Sequence, residues 1–151
     1  MEIQNVAVND EVWSYDLDDD SWKWRAVREV FVHRHEGAIY HLTVAGQTIN
    51  ATGNHPICVL GGQNIESRPR PADIGDDPSA CAGGGRWVAV AALRTGDLLA
   101  VPQGAVRVDS IQSFDTSVLV YNLSVSGSRS YSVSPLGVLV HNKAMARSSE
   151  S

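Results

Sequence analysis

An all-β domain with an internal two-fold repeat is predicted by three features of the sequence. Apolar residues alternate with period two over most of the chain, turn residues interrupt those runs at short intervals, and an eight-residue motif returns 81 positions later. The first element is a hairpin. Trp13, Tyr15 and Leu17 alternate before the turn Asp18-Asp19-Asp20-Ser21, and Trp22 and Trp24 alternate after it, so aromatic side chains pair across two strands. Further strands are expected over residues 26–33, 38–44, 47–52, 57–60, 86–90, 97–101, 105–113, 117–125, 130–133 and 138–140. Turn residues separate them at Glu36-Gly37, Ala45-Gly46, Gly53-Asn54, Thr95-Gly96, Gln103-Gly104 and Ser126-Gly127. The single helical candidate is a short turn over 90–94. Residues 61–85, rich in Gly, Pro, Asp and Ser and without periodicity, read as a long surface loop or insertion. The tail 143–151 has no pattern that would order it.

The repeat lays Ile39-Tyr40-His41-Leu42-Thr43-Val44-Ala45-Gly46 on Val120-Tyr121-Asn122-Leu123-Ser124-Val125-Ser126-Gly127, and also Val27 on Val108 and Val30 on Ile111. Two copies are too few for a solenoid, which needs three or more repeats to bury a continuous core. A closed, pseudo-two-fold β-domain is the remaining arrangement. It can bring the segment after copy one, Thr52-Gly53-Asn54-His55-Pro56, to the same place as the chain end after copy two, His141-Asn142.

Composition excludes several classes of function. The 151 residues include 43% hydrophobic and 19% charged, enough to build a core and far from the compositions that stay disordered. With 12 Lys+Arg against 17 Asp+Glu the formal net charge is −5, and no basic cluster marks a nucleic-acid or anionic-membrane surface, so neither partner is expected. The longest apolar run, 88–93, falls well short of the roughly 20 residues that cross a bilayer. The N-terminus Met1-Glu2-Ile3-Gln4-Asn5 lacks the basic and apolar regions of a secretory signal. Two cysteines could pair, but cysteine usage favours a buried thiol at Cys58 beside an exposed one at Cys81. No metal or other cofactor is expected. His33-x-His35 lacks further ligands at set positions, and Asp16-x-Asp18-x-Asp20 fails as a calcium loop because Ser21 replaces the turn glycine and Val27 the bidentate glutamate.

The chemistry concentrates at the end of the last strand, Gly137-Val138-Leu139-Val140-His141-Asn142. An asparagine amide nitrogen can attack its own backbone carbonyl, close a succinimide and cut the bond to the next residue, here Lys143. Attacker and carbonyl belong to one residue, so much of the entropic barrier is removed in advance if the fold holds them in attack geometry. A neighbouring imidazole that supplies a proton to the departing amine adds roughly 10²–10⁴-fold.

Ala51-Thr52-Gly53-Asn54-His55-Pro56 resembles the Thr-x-x-His block of Hint (hedgehog/intein) domains, and residues 120–125 and 137–142 resemble their two C-terminal blocks. Gly85-Arg86-Trp87-Val88 and Leu93-Arg94-Thr95-Gly96-Asp97-Leu98 are similar to segments of the bacterial intein-like and pretoxin Hint domains of large secreted proteins. The resemblance implies a horseshoe-like, pseudo-two-fold Hint fold over residues 1–142, followed by a flexible tail. It also implies that Thr52 and His55 polarise an N-terminal scissile peptide, that His141 is the penultimate histidine and that Asn142 is the cyclising asparagine. The chain departs from the pattern in four places. The family's nucleophile, a Cys or Ser that begins the domain, has no counterpart in a sequence that starts at Met1 in what resembles the segment just downstream. Asn122 stands where members often have an Asp, Arg129 where they often have a His, and Lys143 where splicing needs Cys, Ser or Thr. Two readings follow. One is a single-turnover self-cleaving domain that acts on its own flanking segments, with an N-terminal segment in trans as a further partner, and performs no ligation. The other is a degenerate Hint scaffold that cuts nothing and serves as a linker or interaction module in a larger toxin-like protein.

Overall fold

The computed structural model describes residues 5–141. Nine strands form one sheet: β1 (Glu11–Asp16), β2 (Ser21–Val44), β3 (Gln47–Thr52), β4 (Pro56–Gly61), β5 (Arg86–Ala89), β6 (Leu98–Val101), β7 (Gly104–Val125), β8 (Ser130–Val133) and β9 (Val138–His141). Their order is β1-β2-β7-β6-β4-β9-β8, with β3 on β2 and β5 on β4. The predicted all-β class holds, and the helical candidate is a single 3-10 turn, Val90–Ala92. No helix among the described residues is long and apolar enough to cross a membrane.

Aromatic pairing builds the first hairpin as the alternation predicts. Trp13 lies opposite Trp24, stacked with centroids 4.2 Å apart, and Tyr15 meets Trp22 edge-on at 5.4 Å. Such pairs contribute about 0.5–1.5 kcal/mol each beyond the area they bury. The expected turn at Glu36-Gly37 does not form. Residues 26–33 and 38–44 belong to one continuous strand, because β7 supplies an antiparallel partner for each residue from Glu29 to Val44, including Gly37↔Thr116. Gly37 keeps a trace of the turn signal in its φ of +138°, a backbone conformation that disfavours any side chain.

The pseudo-two-fold symmetry shows most clearly in the irregularities of the β2–β7 ladder. Arg28 is an unpaired extra residue on β2, between Val27↔Val125 and Glu29↔Ser124, and Asp109 is one on β7, between Thr43↔Ser110 and Val44↔Val108. These two bulges lie 81 positions apart, which is the spacing of the sequence repeat, and each raises the local twist of its end of the ribbon. The valines beside them, Val27, Val44, Val108 and Val125, are all buried and head the main core with Leu42 and Leu99.

A second equivalence precedes each arm. Asp10 Oδ2 accepts the N–H of Ala7 at 2.9 Å, while its backbone carbonyl accepts the N–H of Val27 at 2.8 Å. Asp97 does the same with Arg94 at 2.8 Å and with Val108 at 2.9 Å. The left-handed turn positions before them are Asn9 (φ 77°) and Gly96 (φ 94°).

The long loop over 61–85 is present, and the fold pins it at several points. Cys58 and Cys81 form a disulfide with Cα atoms 5.9 Å apart, and both are buried. This corrects the expectation of one buried and one exposed thiol. The physical reason is strand pairing. Cys58 lies opposite Trp87 in the β4–β5 ladder, and Cys81 N–H donates to Gly85 O just before β5, so the chain returns over Cys58 as it enters that strand. Arg68 inserts from the loop into a buried bidentate ion pair with Asp97, at 2.6 and 2.9 Å. The Arg86 guanidinium donates to the carbonyls of Ile65 and Arg68, both at 2.9 Å.

Candidate active site

The register Ile57↔Val140 between β4 and β9 carries the residue before β4 and the last residue of β9 to the same edge of the sheet. His55 reaches it through a tightly held turn. Pro56 restricts the residue before it to extended backbone, His55 N–H donates to Thr52 O at 3.3 Å, and the 3-10 turn at Val90 clamps the segment through Val90 N–H to His55 O (3.0 Å) and Ala91 N–H to Gly53 O (2.8 Å). A Cβ on Gly53 would fall 2.8 Å from Tyr40 Cε1 and 3.1 Å from Ala91 Cβ, so this close approach requires glycine.

The two predicted histidines meet, although 86 positions separate them. His55 Nε2 lies 3.3 Å from the backbone oxygen of His141, and since a carbonyl only accepts, the ring donates. Burial of the His55 ring, partly offset by that hydrogen bond, pushes its pKa from 6.5 down to about 4, and the charge of His141 adds to the depression while Asp73 opposes it. His55 is therefore a neutral donor at pH 7. His141 is buried, with the Trp87 indole nearly perpendicular to its ring at a centroid distance of 5.1 Å and an interplanar angle of 84°. Its Nε2 lies 2.9 Å from Asp77 Oδ2, and the other oxygen of that carboxylate lies 3.2 Å from Arg129 Nε. Asp77 and Trp87 are the functional neighbours that residue patterns alone did not single out for the site. Asp77 comes from the aperiodic loop, where no local signal separates it from the adjacent Asp76.

Thr52 joins the same turn, with its hydroxyl donating to Asn54 Oδ1 at 3.0 Å. Its bond to His55 runs through its backbone carbonyl. Asn142 lies outside the described residues. Asn122 is committed to structure: its Oδ1 accepts the Tyr131 hydroxyl at 2.8 Å and the Leu123 N–H at 2.9 Å, and the buried Tyr131 has its pKa raised by desolvation. No group of three or more His, Cys, Asp or Glu side chains among the described residues could hold a metal ion.

No family model and no curated protein matches the sequence. Solved structures do match. The solution structure of a bacterial intein-like domain from Clostridium thermocellum is 24% identical, with a TM-score of 0.70 over 93% of this chain and 86% of that one. A DnaB intein from Synechocystis sp. PCC 6803 is 18% identical, with a TM-score of 0.67 over 95% and 87%. The gp41-1 intein is 19% identical, with a TM-score of 0.59 over 94% and 87%. This chain has the Hint fold of inteins. In this fold the start of β4, which follows copy one, meets the end of β9, which follows copy two, and that meeting brings His55 to His141.

Proposed function

We propose that this Hint-fold domain cuts its own backbone after Asn142 and releases residues 143–151 in a single turnover, with no cofactor or metal. Asn142 Nδ2 attacks its own carbonyl carbon, a succinimide closes, and the C–N bond to Lys143 breaks. The proton lost by Nδ2 goes to the departing Lys143 amine, with the His141 imidazole as carrier. One observation carries the reading: His55 donates at 3.3 Å to the carbonyl of His141, the peptide that leads into Asn142, while the His141 ring is held buried beside it. Fixing that peptide restricts the backbone from which the asparagine must attack. The substrate is the chain's own flanking segment, and Lys143 offers no side chain for ligation. An N-terminal segment bearing a Cys or Ser is the partner that the site at Thr52 and His55 would serve in trans.

Incubation near pH 7 followed by intact-mass measurement should show loss of the nine residues 143–151, and Asn142→Ala should abolish it. A chain that stays whole for days, also with an N-terminal segment supplied, refutes the proposal. That outcome would favour the second reading, an inert scaffold serving as a linker or interaction module in a larger toxin-like protein. The observation behind the second reading is that both hydrogen bonds of Asn122 Oδ1 are spent on Tyr131 and Leu123.

A further inference from the structure

We propose that Asp77, carried by the loop between β4 and β5, is a positioning residue for cleavage after Asn142, which holds the His141 ring in one tautomer and one orientation. The inference rests on the self-cleavage reading and deepens it. Asp77 Oδ2 lies 2.9 Å from His141 Nε2. An ionised carboxylate only accepts, so Nε2 carries a proton in either charge state of the ring, and in the neutral form Nδ1 is the basic nitrogen. When the ring takes up the proton that Asn142 Nδ2 gives away, the adjacent carboxylate stabilises the imidazolium until the proton passes to the Lys143 amine.

The loop is built to hold this acid still. Asp77 N–H donates to Ile74 O at 3.0 Å, and Ile74 is buried. Arg70 gathers the chain on both sides, donating at 2.6 Å to each of Gly75 O, Asp77 O and Ser79 Oγ. Four residues on, Cys81 is bonded to Cys58 on β4. Trp87 packs against the imidazole with the two rings nearly perpendicular, so the ring has a fixed neighbour and a fixed acceptor. Arg129 Nε lies 3.2 Å from Asp77 Oδ1 and orients the carboxylate.

The test uses the full chain. In an uncleavable Asn142→Ala background, imidazole ¹⁵N spectra should show His141 in the Nε2–H tautomer, and adding Asp77→Asn should convert it to a mixture. In the cleavable chain, Asp77→Asn should slow release of residues 143–151 by at least about tenfold, a part of the usual acid–base contribution. Asp77→Glu should recover most of the rate, and it keeps the comparison informative if the asparagine variant loosens the loop. Identical ring spectra with and without the Asp77 charge overturn the assignment, as does a cleavage rate that Asp77→Asn leaves unchanged. If the unaltered chain does not cleave, the self-cleavage reading fails alone, and the tautomer measurement still decides the role of Asp77.

Discussion

His55 titrates against the folded state. Its imidazole resists protonation in the native chain down to about pH 4, whereas the unfolded chain takes up that proton near the ordinary value of 6.5. Between those values the unfolded state binds more protons, so stability present above pH 6.5 is lost as the pH falls through the window. The single group should account for roughly 2–3 kcal/mol by pH 4.5. Urea unfolding at pH 7.5 and 4.5 measures the loss, and His55→Gln should remove that share of it. An equally steep decline in the variant would show that other groups are responsible. His55 and His141 were legible in the sequence because the motif and the strand end mark them. Asp77 was not, since what distinguishes it from Asp76 is the path of a loop pinned from several directions.

Among the elements, the loop over 61–85 departs furthest from what periodicity can report. Its order comes from point attachments, namely the disulfide, the Arg68–Asp97 pair and arginines donating to carbonyls, and none of these repeats at a fixed interval. The strands were legible because alternation is a periodic signal, although where β2 and β7 run together the pairing partner, and not the local turn residues, set the strand length. Closing a loop between cysteines 23 apart contributes about 3 kcal/mol through the unfolded chain. Cys81→Ser should therefore lower the melting temperature by roughly 6–12 °C, given about 2–4 °C per kcal/mol for a domain of this size. Faster amide exchange within 61–85 should accompany the fall. An unchanged melting curve would mean that the hydrogen bonds alone hold the loop.

For the whole molecule, the repeat spacing of 81 predicted the symmetry, and the matched bulges at Arg28 and Asp109 carry it into the backbone. The matched aspartate turns escaped the sequence comparison because Asp10 and Asp97 lie 87 apart, the first hairpin being six residues longer between its aspartate and Val27 or Val108. A single shift cannot align both features. The two halves meet along β2 and β7, which pair residues far apart in the chain, and such topologies fold slowly because loop closure precedes the reward of contact. Refolding with the disulfide intact, followed by the fluorescence of the four tryptophans, should take about milliseconds to seconds. A submillisecond phase that recovers the full signal would contradict this.

The bridge between Cys58 and Cys81 closes the long loop that lies ahead of the second copy of the repeat. A protease that nicks the polypeptide anywhere between them leaves both pieces covalently joined and still zipped along the β2–β7 ribbon. Separation then requires a reductant as well as a cut, so an injury that would divide most two-part chains leaves this one in a single piece.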